Sequence, residues 1–319
     1  MKLVSFLRED GVASVGIVDT GRQLVTDFRL VRQDDSRFSS MQALIEAGPS
    51  ALDIAREIEA RGSTSAQIPL YGVKLLAPVP RPVQMRDAMT FPLHIRQAMR
   101  GLKALAAQSE EERKAIMSTE LPELPEIYRN VPVWYFTNHL CVAGPGSAVR
   151  WPAYSSRIDF ELELGIFTWQ TGTDISESDA AQHIFGYTIF NDFSARDQQS
   201  KETPGLLGPG KGKSFNGSNV IGPWIVTPDE IGDPYALRTQ VTVNGDSWTE
   251  GHTSGMLFSF EELIASLSRS ETIHAGEFIG SGTVENGCGI ELQRFLEKGD
   301  YLSLEIERIG SLNCSVSSE

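Results

Sequence analysis

The chain has 319 residues, 40% of them hydrophobic and 22% charged, enough for a sizeable core in one large domain or a large one with a small companion. A net charge of −14 excludes nucleic acid and an anionic membrane surface as natural partners, so a small anionic substrate would need a bound cation or a few placed Lys and Arg side chains. Cys141, Cys288 and Cys314 are scattered without metal-ligand spacing, Met1–Asp10 is no apolar secretion segment, and no apolar run reaches the roughly 18 residues of a membrane span; a reducing, cytoplasmic setting is the expectation.

In chain order, Lys2–Leu7 and Val12–Val18 read as strands joined by a turn at Asp10 and Gly11. Helices are expected near Met41–Glu46 and Ala51–Ala60, punctuated by Gly48 and Gly62. The Pro-rich stretch Pro78–Pro82 marks a boundary, which divides the chain into a small N-terminal α+β domain (1–76) and a larger one (77–319). Leu93–Met117 has helical character, with Glu110–Lys114 as a solvated face. Its continuation to Glu126, with Gly101, Pro122 and Pro125, reads equally as a closing lid or a packed helix pair. From Val131 onward strands predominate, at Ile158–Phe167, Tyr187–Asp192, Trp224–Thr227, Leu237–Val243, Glu277–Gly280 and Tyr301–Ile306. One helix interrupts them, Phe260–Ser268, with Ser259 and Glu262 placed as a capping box. The fold class is therefore α+β, with a β-rich body.

The sharpest local pattern is Asp159-Phe160-Glu161-Leu162-Glu163-Leu164. Side chains alternate along a strand, so Glu161 and Glu163 share a face with Asp159 while the apolar residues take the other. Two glutamates so placed repel unless a cation sits between them, and the plain alternative is the wet face of an amphipathic strand. Asp192 follows the apolar run Tyr187–Phe190 where a strand gives way to the polar Asn191–Asp197, a place where sites are commonly built. An all-oxygen set suits Mg²⁺, Mn²⁺ or Ca²⁺, and the residues alone leave a turn-capping role for Asp192 equally open.

These blocks, continued by Gly212–Ser218, Gly222–Asp229, Ser281–Thr283 and Leu296–Arg308, resemble the fumarylacetoacetate hydrolase family in order and spacing, over about Val79 to Leu312. The resemblance implies mixed, rolled β-sheets in the larger domain, a homodimer, and a divalent metal, Mg²⁺ with Mn²⁺ or Ca²⁺ as alternatives, held by Glu161, Glu163 and Asp192. It implies Asp87 as a fourth carboxylate and His94, seven residues on, as the catalytic histidine with Glu291 as its partner. Lys213 of Gly212-Lys213-Ser214-Phe215 is implied as a fixed positive charge. Tyr135, Gln199 and Thr283 are implied as substrate contacts, and Arg196 is expected to form an ion pair that orients the site carboxylates. The family's tyrosine two residues after the aspartate is Met89 here, and a second one is replaced within Ser200–Thr203, so the substrate does not carry over.

The implied activity is hydrolysis of a C–C bond in an acylpyruvate or β-diketone, the His94–Glu291 dyad activating water and the departing enolate stabilised at the cation. The same metal ligands would serve a 2-oxo acid decarboxylase, dehydratase or isomerase, and a metabolite-binding module without catalysis is the reading from another class.

Overall fold

Lys2–Leu7 and Ala13–Asp19 pair antiparallel as a hairpin in the computed structural model, which describes residues 1–62 and 64–317. Asp10 Oδ1 accepts the Val12 amide at 3.0 Å, and Gly11 takes φ 78°, where a side chain would be strained. The helices Met41–Glu46 and Pro49–Arg61 follow. Ser40 caps the first on the Ala43 amide, and Gly62, left-handed at φ 61°, closes the second. Gly48 opens the second helix rather than merely closing the first, because Pro49 behind it is preset for a first helical turn.

A twelve-stranded sheet forms the body. Its main path runs Gln67–Pro69, Leu24–Asp27, Ala13–Asp19, Lys2–Leu7, Asn219–Val226, Ile184–Asp192, Glu161–Thr168, Phe278–Cys288, Met85–Ala88 and Trp134–Phe136. Lys2–Leu7 pairs with Asn219–Val226, Leu3 opposite Ile225, so the first 76 residues continue the same sheet. The early helices cover one face of it. Met41, Leu44, Ile45, Leu52 and Ile58 pack in one buried cluster with Phe167, Phe185, Phe190 and Phe278. A five-stranded sheet, ordered Asp246–His252, Arg238–Val243, Tyr301–Ile306, Gly310–Val316, Ala148–Val149, builds the other core with Phe160, Leu162 and Leu164. Helix Phe260–Leu267 seals it, with the capping box of Ser259 and Glu262 formed.

This is the mixed α+β, β-rich architecture expected, with several elements the sequence did not show. Met85–Ala88 is a strand whose centre is charged, both Arg86 and Asp87 being buried. Arg86 pairs with Glu277 and Glu271 and lies against the rings of Trp134 and Phe136 at 5.5 and 5.4 Å. Asp246–His252 follows an Asn244-Gly245 turn with both residues at positive φ, and Gly310–Val316 completes the last hairpin. The strand expected at Glu277–Gly280 runs on from Phe278 to Cys288, kinked at Gly282 with φ 80°. The helix expected over Leu93–Met117 is two, Pro92–Leu105 and Glu110–Met117, the second capped by Ser109.

Candidate active site

Glu161 and Glu163 lie on the strand Glu161–Thr168, flanked on both sides, by Ile184–Asp192 and Phe278–Cys288. Every residue of that strand is buried, Glu163 fully and Glu161 to 4% exposure, so the wet-face alternative is excluded. Asp192 ends the neighbouring strand and Asp87 comes from Met85–Ala88, opposite Gly280. A side chain at Gly280 would put its Cβ 2.5 Å from Asp87 Oδ1 and 2.9 Å from Glu163 Oε2, so glycine there is what lets the carboxylates converge.

Carboxylate oxygens of Asp87, Glu163 and Asp192 all lie within 4.8 Å of one another. Asp87 Oδ1, Glu163 Oε1 and Asp192 Oδ1 are buried with no hydrogen-bond partner among the described residues. Burial first, then the charges of Asp87 and Asp192, push the Glu163 carboxyl well above its ordinary range. Burial likewise raises Asp87, and it lifts Asp192 to about 7 with Glu161 and Asp87 adding to it against the pull of Lys213. Three unpartnered buried oxygens, each resisting ionisation, form a hole that a hard divalent cation fits in charge and donor type.

Glu161 adjoins this hole through Lys213, whose Nζ donates to both Glu161 Oε2 and Asp192 Oδ2. Burial alone would raise the Glu161 carboxyl; the charges of Arg196, Lys213 and His94 more than offset it and hold it down to about 2. Arg196 Nη2 donates to Glu161 Oε1 at 2.6 Å, Nε to Asp159 Oδ2 at 2.7 Å, and Nη1 to Gln199 Oε1 at 2.9 Å. Asp159 stays out of the oxygen cluster, because the ladder breaks at Phe160 and Ile158–Asp159 pairs instead with Ser194–Ala195. Its carboxylate accepts the amides of Gly289 at 2.7 Å and Ile290 at 2.8 Å.

Those amides begin the short helix Gly289–Leu292, which presents Glu291. Glu291 Oε1 meets His94 Nδ1 at 2.8 Å, and its Oε2 accepts the Cys288 amide at 3.2 Å. His94 sits in the first turn of Pro92–Leu105, buried to 5% exposure. Gly101 of that helix passes so close that an added Cβ would lie 2.3 Å from the Ile290 carbonyl oxygen. The helix is thus packed on the Glu291 turn through its glycine.

Tyr135 donates its hydroxyl to Asp192 Oδ2 at 2.8 Å, and Thr283 is buried opposite Glu163. Tyr135 and Lys213 line a cavity of about 700 Å³ with Thr137, Asn138 and Ser214. Of the expected residues, Gln199 is taken up by Arg196. The sequence did not single out Asp159 as the brace of the Glu291 turn, nor Gly280, nor Cys288, whose Sγ is 3.8 Å from His94 Nδ1. Only the glycine density near Ser281–Thr283 hinted that backbones approach closely there.

The family model described as "Fumarylacetoacetate (FAA) hydrolase C-terminal" matches residues 103–317. The chain belongs to the fumarylacetoacetate hydrolase family. It is 33% identical over 246 residues to oxaloacetate tautomerase YisK of Bacillus subtilis (strain 168), covering 76% of this chain and 73% of that protein. It is 30% identical over 279 residues to the mitochondrial oxaloacetate tautomerase FAHD2A of Homo sapiens, covering 85% and 77% respectively. The fumarylacetoacetate hydrolase of Exiguobacterium antarcticum superposes over the full length of both chains with a TM-score of 0.73 at 26% identity. The fold is shared with maleylpyruvate hydrolase of Sphingobium sp. SYK-6, solved in complex with manganese (II) ion and pyruvate, at a TM-score of 0.72 and 21% identity over 99% of each chain. Fumarylacetoacetate hydrolase family relatives are hydrolases, isomerases and tautomerases.

Proposed function

We propose that this chain is a divalent-metal-dependent hydrolase that cleaves a C–C bond of an acylpyruvate or β-diketone acid. The observation that carries it is the 2.8 Å contact between His94 Nδ1 and Glu291 Oε1, beside the buried carboxylates. Asp87, Glu161, Glu163 and Asp192 are the residues that would hold Mg²⁺, Mn²⁺ or Ca²⁺, with Glu161 released from Lys213. The cation, when bound, supplies Lewis-acid polarisation of the substrate's carbonyl oxygens.

The protein's own groups do the rest. Glu291 fixes the Nδ1–H tautomer of His94, which leaves Nε2 to take a proton from water as it attacks the acyl carbon, and the buried carboxylate stabilises the imidazolium. The C–C bond then breaks, its electron pair moves to the departing carbon and the oxygen beside it, and His94 returns the proton to that carbon. One water is consumed and two acids leave. Lys213 and Tyr135 line the cavity wall, from which they would face the substrate's oxygens, and Thr283 and the amide of Gln199 left over from Arg196 would add polar contacts. Arg196 keeps Glu161 and the Asp159-braced turn in register. The homodimer and the cytoplasmic setting are part of this proposal; light scattering checks the first.

A second reading, tautomerisation of oxaloacetate, is favoured by the relatives at 30 and 33% identity. There His94 carries a proton between carbon and oxygen and no water adds. Full-length protein with Mg²⁺ or Mn²⁺, given a panel of acylpyruvates, should yield two acids per bond lost, followed by mass spectrometry. Accelerated enol–keto exchange of oxaloacetate in the ultraviolet, with every acylpyruvate left intact, establishes the tautomerase and ends the hydrolase reading.

A further inference from the structure

Beside the oxygen cluster stands a second group of ligating side chains of different chemistry. His94 Nδ1, Cys288 Sγ and a Glu291 carboxylate oxygen lie within 4.8 Å of one another, and all three residues are buried. The Sγ to Nδ1 separation is 3.8 Å and the Nδ1 to Oε1 separation 2.8 Å. A tetrahedral Zn²⁺ with bonds of ~2.3 Å to sulfur and ~2.0 Å to nitrogen holds those two atoms about 3.5 Å apart, and nitrogen and oxygen ligands about 3.3 Å apart. Seating the ion therefore needs shifts of a few tenths of an ångström. Burial, and after it the charges of Glu291, Asp159 and Glu161, push the Cys288 thiol well above its ordinary range against the pull of Arg196, so the thiol keeps its proton until a thiophilic cation displaces it.

We propose that His94, Cys288 and Glu291 form an inhibitory site for a thiophilic divalent cation, Zn²⁺ above all, separate from the all-oxygen site. The ion takes the place of the proton between Nδ1 and Oε1. As it binds, the ring proton moves to Nε2 and the imidazole stays neutral, while the thiol proton is released to solvent; no electron changes hands. With a cation on Nδ1 and the ring proton on Nε2, the imidazole has no lone pair left to take a proton from water and Glu291 no longer offsets an imidazolium, so proton transfer stops. Hardness keeps the two sites apart: carboxylates hold Mg²⁺, whereas the N, S, O set selects the softer ion. The reading bears on rate through the proposed dyad, but binding is seen independently of any turnover.

Two measurements on the full-length, Mg²⁺-saturated protein test it. Co²⁺ is titrated as a spectroscopic stand-in; one equivalent should give a thiolate-to-cobalt charge-transfer band in the near ultraviolet. The band should vanish in Cys288→Ala and Cys288→Ser and persist in the Cys141→Ala/Cys314→Ala double variant. Zn²⁺ should inhibit the wild type in a way that tenfold more Mg²⁺ does not relieve, and the two Cys288 variants, each against its own zinc-free rate, should need roughly 10–100-fold more zinc. Absence of the band, its survival without the Cys288 thiol, or zinc inhibition that Mg²⁺ relieves equally in all forms overturns the proposal. A protein that binds Co²⁺ through Cys288 yet cleaves no acylpyruvate leaves this site standing and removes the hydrolase reading instead.

Discussion

His94 and Glu291 touch through one hydrogen bond, and the proposed chemistry asks the imidazole to change charge while the carboxylate does not. His94→Ala should therefore lower kcat by about 10²–10⁴-fold while leaving metal affinity, read by calorimetry with Mn²⁺, close to wild type. Retained kcat with lost manganese binding would place His94 among the ligands instead. Arg196 has a different task. It is 3% exposed and serves Asp159 and Glu161 together, so Arg196→Ala strands two buried carboxylates and should cost roughly 3–5 kcal/mol in a denaturant titration. At this scale the sequence showed which side chains were unusual for their place, the ExE pair and Asp192 after an apolar run. It did not show Asp159 turned from its neighbours, because that depends on amides 130 and 131 residues away.

Elements set how firmly those side chains are held. Helix Pro92–Leu105 meets the turn that bears Glu291 at Gly101, where the Ile290 carbonyl fills the space a methyl group would need. Gly101→Ala should destabilise by about 1–3 kcal/mol, by thermal unfolding, and lower kcat more than it raises KM, since the displaced turn carries the histidine's partner. A Gly101 variant with unchanged kcat would uncouple that helix from the site. Long periodic elements were legible: the first hairpin, the helix near Ala51–Ala60 and the capped helix after Ser259 all formed within a few residues of expectation. Met85–Ala88 was not, because a four-residue strand with Arg and Asp at its centre has no apolar alternation to read. Its charges are tolerable only because Glu277 and Glu271 meet Arg86 on one side and Gly280 admits Asp87 on the other.

The whole molecule must tolerate a nest of buried acids, and pH reports how. Burial raises Asp192 to about 7 in the metal-free protein, so between its ordinary range and that value the folded state holds a proton the unfolded chain does not. That contribution to stability is fully present below the ordinary value and is lost as pH rises through about 7. In EDTA, Tm should fall between pH 5.5 and 7.5; with Mn²⁺ the fall should shrink or reverse, since the cation binds the ionised acids. A Tm in EDTA that climbs over this window would contradict the electrostatics of the cluster. We also propose that residues 1–76 form a small unit that the rest cannot spare. Removing them bares the edge of Asn219–Val226 and the faces of Phe167, Phe185, Phe190 and Phe278. The 77–319 fragment should therefore be insoluble or lack a cooperative transition in near-ultraviolet circular dichroism.

Local order in the chain determined what can be read from neighbours: an acidic, β-rich α+β protein, its caps and turns, and carboxylates spaced to share a strand face, because period and capping depend on residues a few positions apart. Tertiary structure decided which acids converge, which one braces the histidine's partner, and that a thiol stands against the imidazole. These follow from ladder register and from glycines at close crossings, which pair residues more than a hundred positions apart in the chain and leave no periodic trace along it.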